Sequence, residues 1–199
     1  VVDLTKTAQT GEMYYSWPQR MILPGYNPTT KAHGRVLSDA AKLFEQSYRP
    51  VLYVGGGAVR SDAGELVEEL AEVTGAPIVT TLPARGIVPD SDPKVLGMLG
   101  MHGTNTAALA IKNCDLFVAV GTRFSDRVLC NAGLFARHCP IIQIEIDTAE
   151  FNKNIEVQLK VKGDAKEILQ KLNSLLPQQS HPQWMEQIAA WKEEFPLVP

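Results

Sequence analysis

Five places in this 199-residue chain combine residue types that can hold a ligand. Gly55-Gly56-Gly57 ends the apolar run VLYVGGG, and Gly121-Thr122-Arg123 ends LFVAVG. Thr81-Leu82 closes PIVTTL, Glu145-Ile146-Asp147 closes PIIQIEID, and Gly163-Asp164 closes VQLKVKGD. Glycine lets a ligand come close to the backbone. An acid at a strand end accepts from ribose hydroxyls, and an arginine pairs a phosphate with two parallel hydrogen bonds. Together this is the chemistry of a dinucleotide site. Each feature alone has a plainer reading. The glycine triplet serves any tight turn, it departs from G-x-G-x-x-G, and Asp62 near the next helix start would repel a phosphate. Glu145 and Asp147 could cap a turn, and Arg123, Asp126 and Arg127 could form a surface ion-pair cluster of small energetic value.

A sixth stretch, GMLGMHGT over residues 97–104, is rich in glycine and methionine. Its glycines oppose a helix and its lack of β-branched residues opposes a strand. It reads as a ligand-facing connection, with glycines admitting close backbone approach and methionines forming an adaptable apolar wall. Gly103-Thr104 would open the next helix and leave His102 near its N-terminus.

The elements that must carry these residues follow from periodicity. Residues 35–48 place Val36, Ala40 and Phe44 at helical spacing before Pro50. Strands are expected at 51–57, 77–82, 116–121, 140–147 and 157–164. Ser61 is a plausible cap for a helix with Ala63, Leu66, Val67, Leu70 and Ala71 on one face. Residues 104–113 and 165–176 read as further helices. Alternation of this kind predicts an α/β fold, an open doubly wound, mainly parallel sheet with helices on both faces. Residues 1–34 read as a linker from an N-terminal domain outside the chain, 35–177 as the α/β domain, and 178–199 as a linker helix toward a further domain. Trp184, Ile188 and Trp191 give that last helix an apolar face with no evident partner in the chain. VVDL at the start and EEFPLVP at the end look like cuts in a longer protein.

A chain of this size buries enough surface to fold without a metal or disulfide staple. Its net charge of −3 argues against a nucleic-acid or anionic-membrane partner, and no apolar run approaches the ~20 residues of a membrane span. Three cysteines without a C-x-x-C pair fit reduced thiols in a cytoplasmic setting. The four histidines are scattered, so no zinc site is expected. No G-x-S-x-G or H-E-x-x-H motif is present, and no acid pair is spaced for general acid–base work.

The segments LPGYNPTT, RPVLYVGGG, TGAPIVTTL, LGMLGMHGT, VGTRFSDRV, IEIDTAEFNKN and GDAKEIL occur in this order. At these spacings they resemble the central domain of the catalytic large subunit of acetolactate synthase (acetohydroxyacid synthase), a thiamine-diphosphate enzyme, over residues 1 to about 199. The resemblance implies a Rossmann-like middle domain that binds FAD in an extended pose and mainly structurally. It carries the FAD contacts to Gly55, Gly56, Gly57, Thr81, Leu82, Leu99, Gly100, Met101 and His102. Gly121, Thr122, Arg123, Phe124, Ser125, Glu145, Ile146, Asp164 and Ala165 complete them. Met101, His102, Asp126 and Arg127 match positions lining the substrate channel, with Arg127 a candidate for holding the acceptor carboxylate.

It further implies thiamine diphosphate and Mg²⁺ bound by other domains, pyruvate and 2-ketobutyrate as substrates, a homo-oligomer and a regulatory small subunit. The segment alone is expected to be inactive, because the motifs for thiamine diphosphate lie outside it. Three departures bear on the flavin. TLPARG stands where the family commonly has TLMGLG, FSDR where it has FDDR, and IEID where it has IDID. Pro83 lacks a backbone donor and Arg85 adds charge. A stand-alone nucleotide-binding module and the central domain of an FAD-free thiamine-diphosphate enzyme are the alternatives. A sirtuin-type deacylase would need G-A-G-x-S and paired C-x-x-C zinc ligands, which the sequence lacks.

Overall fold

The computed structural model describes residues 3–17, 29–125 and 138–196. Asp126, Arg127 and LPGYNPTT up to Pro28 lie outside the described residues. Six parallel strands run in the order β3-β2-β1-β4-β5-β6. They are β1 (Pro50–Val54), β2 (Ile78–Thr80), β3 (Val95–Met98), β4 (Leu116–Val120), β5 (Ile141–Glu145) and β6 (Leu159–Lys162). The chain builds outward from β1 to β3, returns, and builds outward on the other side from β4. The order therefore reverses between β1 and β4, which pair in register from Pro50↔Leu116 to Val54↔Val120.

Strand alternation splits the core into two layers. Leu52, Val54, Leu116, Val118, Val120, Ile142 and Ile144 face the layer that holds the helices Gly34–Gln46, Gly64–Thr74 and Ala165–Leu175. Val51, Tyr53, Phe117, Ala119 and Ile141 face the layer of Asn105–Asn113 and Pro182–Glu194. Both faces of β1 and β4 are buried, so their sequences are continuously apolar rather than alternating. Among the described residues no helix is long and apolar enough to cross a membrane.

Three expectations are corrected. The strand β3 falls on the first residues of GMLGMHGT and just before them. It is an edge strand, and two residues of β2 step past three of β3 between Ile78↔Val95 and Thr80↔Met98. Gly97, at φ +92°, supplies the left-handed backbone of that bulge. Ser61 does not cap the Gly64–Thr74 helix, whose N-cap is Ala63 without a side-chain bond. A five-residue helix, Gly56–Arg60, intervenes, and Ser61 ends it. Its hydroxyl instead donates to Asp164 Oδ1 at 2.6 Å and accepts from Lys166 N–H at 2.9 Å.

Third, the apolar face of Pro182–Glu194 has its partner within the chain. Trp184 and Ile188 are 4% and 1% exposed, and the helix packs on Asn105–Asn113. Trp184 Nε1 donates to Pro50 O at 3.2 Å, and its ring meets Trp191 edge to face at 5.7 Å. Lys192 Nζ donates to the carbonyls of Pro93 and Val95, fastening the helix end beside β3. Trp184→Ala should therefore lower unfolding stability by about 3–5 kcal/mol in urea titration. Trp191→Ala, at a half-buried ring, should cost less.

Candidate functional site

The site grows from the reversal between β1 and β4, where the strand ends splay and a crevice opens. Gly55 N–H donates to Val120 O at 2.9 Å, and Gly57 N–H to Gly121 O at 3.0 Å. A Cβ on Gly55 would lie 2.3 Å from Gly121 O, and one on Gly57 would lie 2.7 Å from Gly121 Cα. Gly121 itself has φ +61°. The triplet thus works first by letting two turns interlock backbone to backbone, which side chains would prevent.

Two adjoining cavities lie over these turns. One, of about 310 Å³, is lined by Tyr53, Gly55–Gly57, Arg60, Ser61, Thr81, Pro83, Gly121–Ser125, Glu145, Ile146 and Asp164. The other, of about 380 Å³, is lined by Thr81, Leu82, Pro83, Met98, Leu99, Met101, His102 and Ser125. Thr81, Pro83 and Ser125 border both. Each volume falls within the range of small-molecule sites. The first carries two guanidinium side chains, Arg60 and Arg123, and two carboxylates, Glu145 and Asp164, on its wall. The second is walled by Leu82, Met98, Leu99 and Met101.

Three residues of the first cavity's wall carry buried hydroxyls with no hydrogen-bond partner among the described residues. Tyr53 Oη, Thr81 Oγ1 and Thr122 Oγ1 are all buried without a hydrogen bond. Burial pushes the Tyr53 phenol well above its usual range, so it stays neutral. A buried hydroxyl left unpaired costs free energy. The loop that carries Thr122 is held from behind. Gln143 Nε2 donates to Thr122 O at 3.1 Å, and Asn154 Nδ2 donates to Phe124 O at 2.9 Å. Phe124 takes φ +49°, a strained conformation for a bulky residue, and its ring lies against Tyr53 and Phe117 at 6.2 and 6.0 Å.

The strand-end acids do different work. Glu145 is 8% exposed, and its Oε1 accepts from the N–H groups of Ile146 and Asp147. Burial nonetheless raises its carboxyl above the usual glutamate value, outweighing those two bonds. Asp147 caps the following turn through Ala149 N–H. Asp164 caps Ala165–Leu175 through Lys166 and Glu167 N–H, so one of its oxygens is engaged structurally. Asp62, expected to repel a phosphate, is turned outward onto Lys166 Nζ at 2.8 Å and does not line the crevice.

Sixteen of the expected FAD contacts line the two cavities, whereas Gly100 and Ala165 line neither. Gly100, at φ +115°, shapes the loop below Leu99, and Ala165 starts the final sheet-side helix. Met101 and His102 sit exposed on the rim of the apolar cavity. Asp126 and Arg127 lie outside the described residues. Sequence reading missed Tyr53, Arg60 and Ser61 as lining residues, and Asn154 as a support. Tyr53 stands at the penultimate position of β1, a signal available in advance, whereas Arg60 and Asn154 arrive only through turns. Pro83 borders both cavities, while Arg85 turns away to pair with Asp90.

The glycines of GMLGMHGT mostly close that loop on itself. A Cβ on Gly103 would meet Met98 O at 2.3 Å, and one on Gly97 would meet Thr104 Cγ2 at 2.6 Å. Thr104 completes the knot, donating to Leu96 O at 2.6 Å and accepting from Ala107 N–H at 3.1 Å. The reading of these glycines as room for a ligand is thus corrected. The apolar wall comes from Met98, Leu99 and Met101.

Strand order and crevice together define a doubly wound α/β domain of Rossmann type, with a ligand-sized site at its switch point. Residues 37–172 match the family described as "Thiamine pyrophosphate enzyme, central domain". The chain belongs to that family. It is 46% identical over 191 residues to acetolactate synthase large subunit IlvB1 of Mycobacterium tuberculosis, covering 96% of this chain and 31% of that protein. It is 40% identical over 201 residues to the acetolactate synthase large subunit of Corynebacterium glutamicum, covering 98% and 32%. For that of Porphyra purpurea the identity is 38% over 187 residues, covering 91% and 32%. The chain spans about a third of the length of these curated relatives.

The Glu145 carboxyl gives a pH test. Its native affinity for a proton exceeds its unfolded affinity, so the native state binds more protons between the two values. Stability contributed by this group therefore falls as pH rises through that window, just above the usual glutamate range. Urea titrations across pH 4 to 8 should show Glu145→Gln gaining on the wild type as pH rises. A difference that stays flat would contradict the burial-raised carboxyl.

Proposed function

We propose that the two joined cavities hold FAD in an extended pose, and that this chain is the central domain of an acetolactate synthase catalytic subunit. The observation that carries this reading is the joining of a cavity with charged side chains on its wall to an uncharged, apolar one across a shared border of Thr81, Pro83 and Ser125. A dinucleotide with a large flat ring needs both. Arg60 and Arg123 offer charge to a diphosphate, and Glu145 offers a carboxylate to ribose hydroxyls. The unpaired hydroxyls of Tyr53, Thr81 and Thr122 fit such a polar ligand. Leu82, Met98, Leu99 and Met101 offer an apolar wall to the ring.

The similarity to acetolactate synthase large subunits supports the wider proposal. The full enzyme joins two pyruvates, or pyruvate and 2-ketobutyrate, with loss of CO₂. Thiamine diphosphate with Mg²⁺, held by other domains, supplies the electron sink for that decarboxylation. In this proposal Met101 and His102, with Asp126 and Arg127, line the path of the keto acids. Residues 1–34 and 178–199 lead to the neighbouring domains, the enzyme is a cytoplasmic homo-oligomer, and a small regulatory subunit accompanies it.

Thermal melts at increasing FAD test the reading. At 100-fold excess over Kd, FAD should stabilise the chain by about 2.7 kcal/mol and raise Tm by several degrees. Thr122→Val removes an unpaired hydroxyl at nearly constant shape, so Tm without FAD should stay level or rise. Its FAD affinity should fall about tenfold, the value of one lost hydrogen bond. No ligand-dependent shift in the wild type would overturn the FAD proposal and favour an FAD-free domain.

A further inference from the structure

The edge of the sheet opposite the crevice gathers Cys114, His138 and Cys139. Cys114 caps the Asn105–Asn113 helix two residues before β4, and Cys139 stands two residues before β5. Phe117 N–H donates to Pro140 O at 3.0 Å, so the entrances to the two strands are held side by side. The sulfurs of Cys114 and Cys139 are 3.6 Å apart and not in a disulfide. Together with a ring nitrogen of His138, all three potential ligand atoms lie within 4.8 Å of one another.

We propose that Cys114, His138 and Cys139 form a zinc site. Two thiolates on one tetrahedral Zn²⁺, each about 2.3 Å from the metal, stand ~3.8 Å apart. The sulfurs already have that separation, whereas a disulfide at ~2.05 Å would need about 1.5 Å of further closure. Two sulfurs and one imidazole suit zinc and disfavour magnesium or calcium, which take oxygen ligands. Cys114 is 1% exposed and supplies a fixed inner wall, while His138 is exposed and gives the ion an entry. Binding releases two thiol protons, one of which Cys114 otherwise donates to Ile111 O. The ion would cross-link the starts of β4 and β5, at the far end of the strands whose other ends frame the crevice. The site is independent of any flavin.

Cobalt(II) titrated into the reduced, metal-free chain tests this. A thiolate-to-cobalt absorption band with tetrahedral visible bands should saturate at one equivalent and be displaced by one equivalent of zinc. Zinc should also protect Cys114 and Cys139 from alkylation, read by peptide mass spectrometry. Cys139→Ser and His138→Ala should each weaken cobalt binding at least tenfold. His138 is exposed, so its variant keeps the test decisive should Cys139→Ser misfold. Absence of the thiolate band overturns the proposal. So does a band that survives both Cys139→Ser and His138→Ala.

Discussion

The contact between the Gly55–Gly57 turn and Gly121 is the constraint on which the rest depends. At this point two strand ends that diverge in chain order are pressed together with no side chain between them. Hydrogen bonds from Gly55 and Gly57 N–H to Val120 and Gly121 O close the contact. Because the turns interlock, the polypeptide beyond them must splay, and the crevice is the space so created. The short helix Gly56–Arg60 then aims Arg60 and Ser61 across it, and the loop after Gly121 brings Thr122 to Ser125 from the other side.

A second tier of interactions keeps that loop in a conformation it would not choose. Phe124 has a positive φ, and Asn154 and Gln143 hold its neighbourhood through carbonyl oxygens. The aromatic cluster of Tyr53, Phe117 and Phe124 anchors the same segment to the core. Strain of this kind persists only where surrounding structure over-determines it. Three buried hydroxyls without a hydrogen-bond partner among the described residues belong to side chains that border the same space. GMLGMHGT contributes differently. Its glycines tighten a self-bonded loop and its Met98, Leu99 and Met101 side chains make the apolar half of the site.

The internal strands were readable because burial on both faces writes them as unbroken apolar runs, as in LFVAV. The edge strand β3 was not. With one partner and a bulge, it tolerates Gly97, so its sequence lacks the β-branched signature. The last helix was legible as a helix but not in its destination, since an apolar stripe says that something covers it and not what. Eleven strand-end residues of the site could be named in advance, since a parallel sheet sends successive strand ends to one edge. Leu99, Met101, His102, Phe124 and Ser125 came as contacts only with the family resemblance. Arg60, Ser61 and Asn154 could not, because each enters through a turn whose direction rests on a single backbone angle or a distant carbonyl.

By itself, the sequence determined the alternation of strand and helix, the parallel sheet and the edge of the sheet at which the cavities open. Those follow from local periodicity and from the geometric need to cover both faces of a buried sheet. Only the tertiary structure decided the strand order, the seating of Trp184 against Pro50, and the outward turn of Asp62. It also decided the meeting of Cys114 with Cys139 across the starts of two adjacent strands. Each of these joins residues far apart in the chain. Packing and hydrogen-bond satisfaction, which no short stretch encodes, select one pairing among many that periodicity permits.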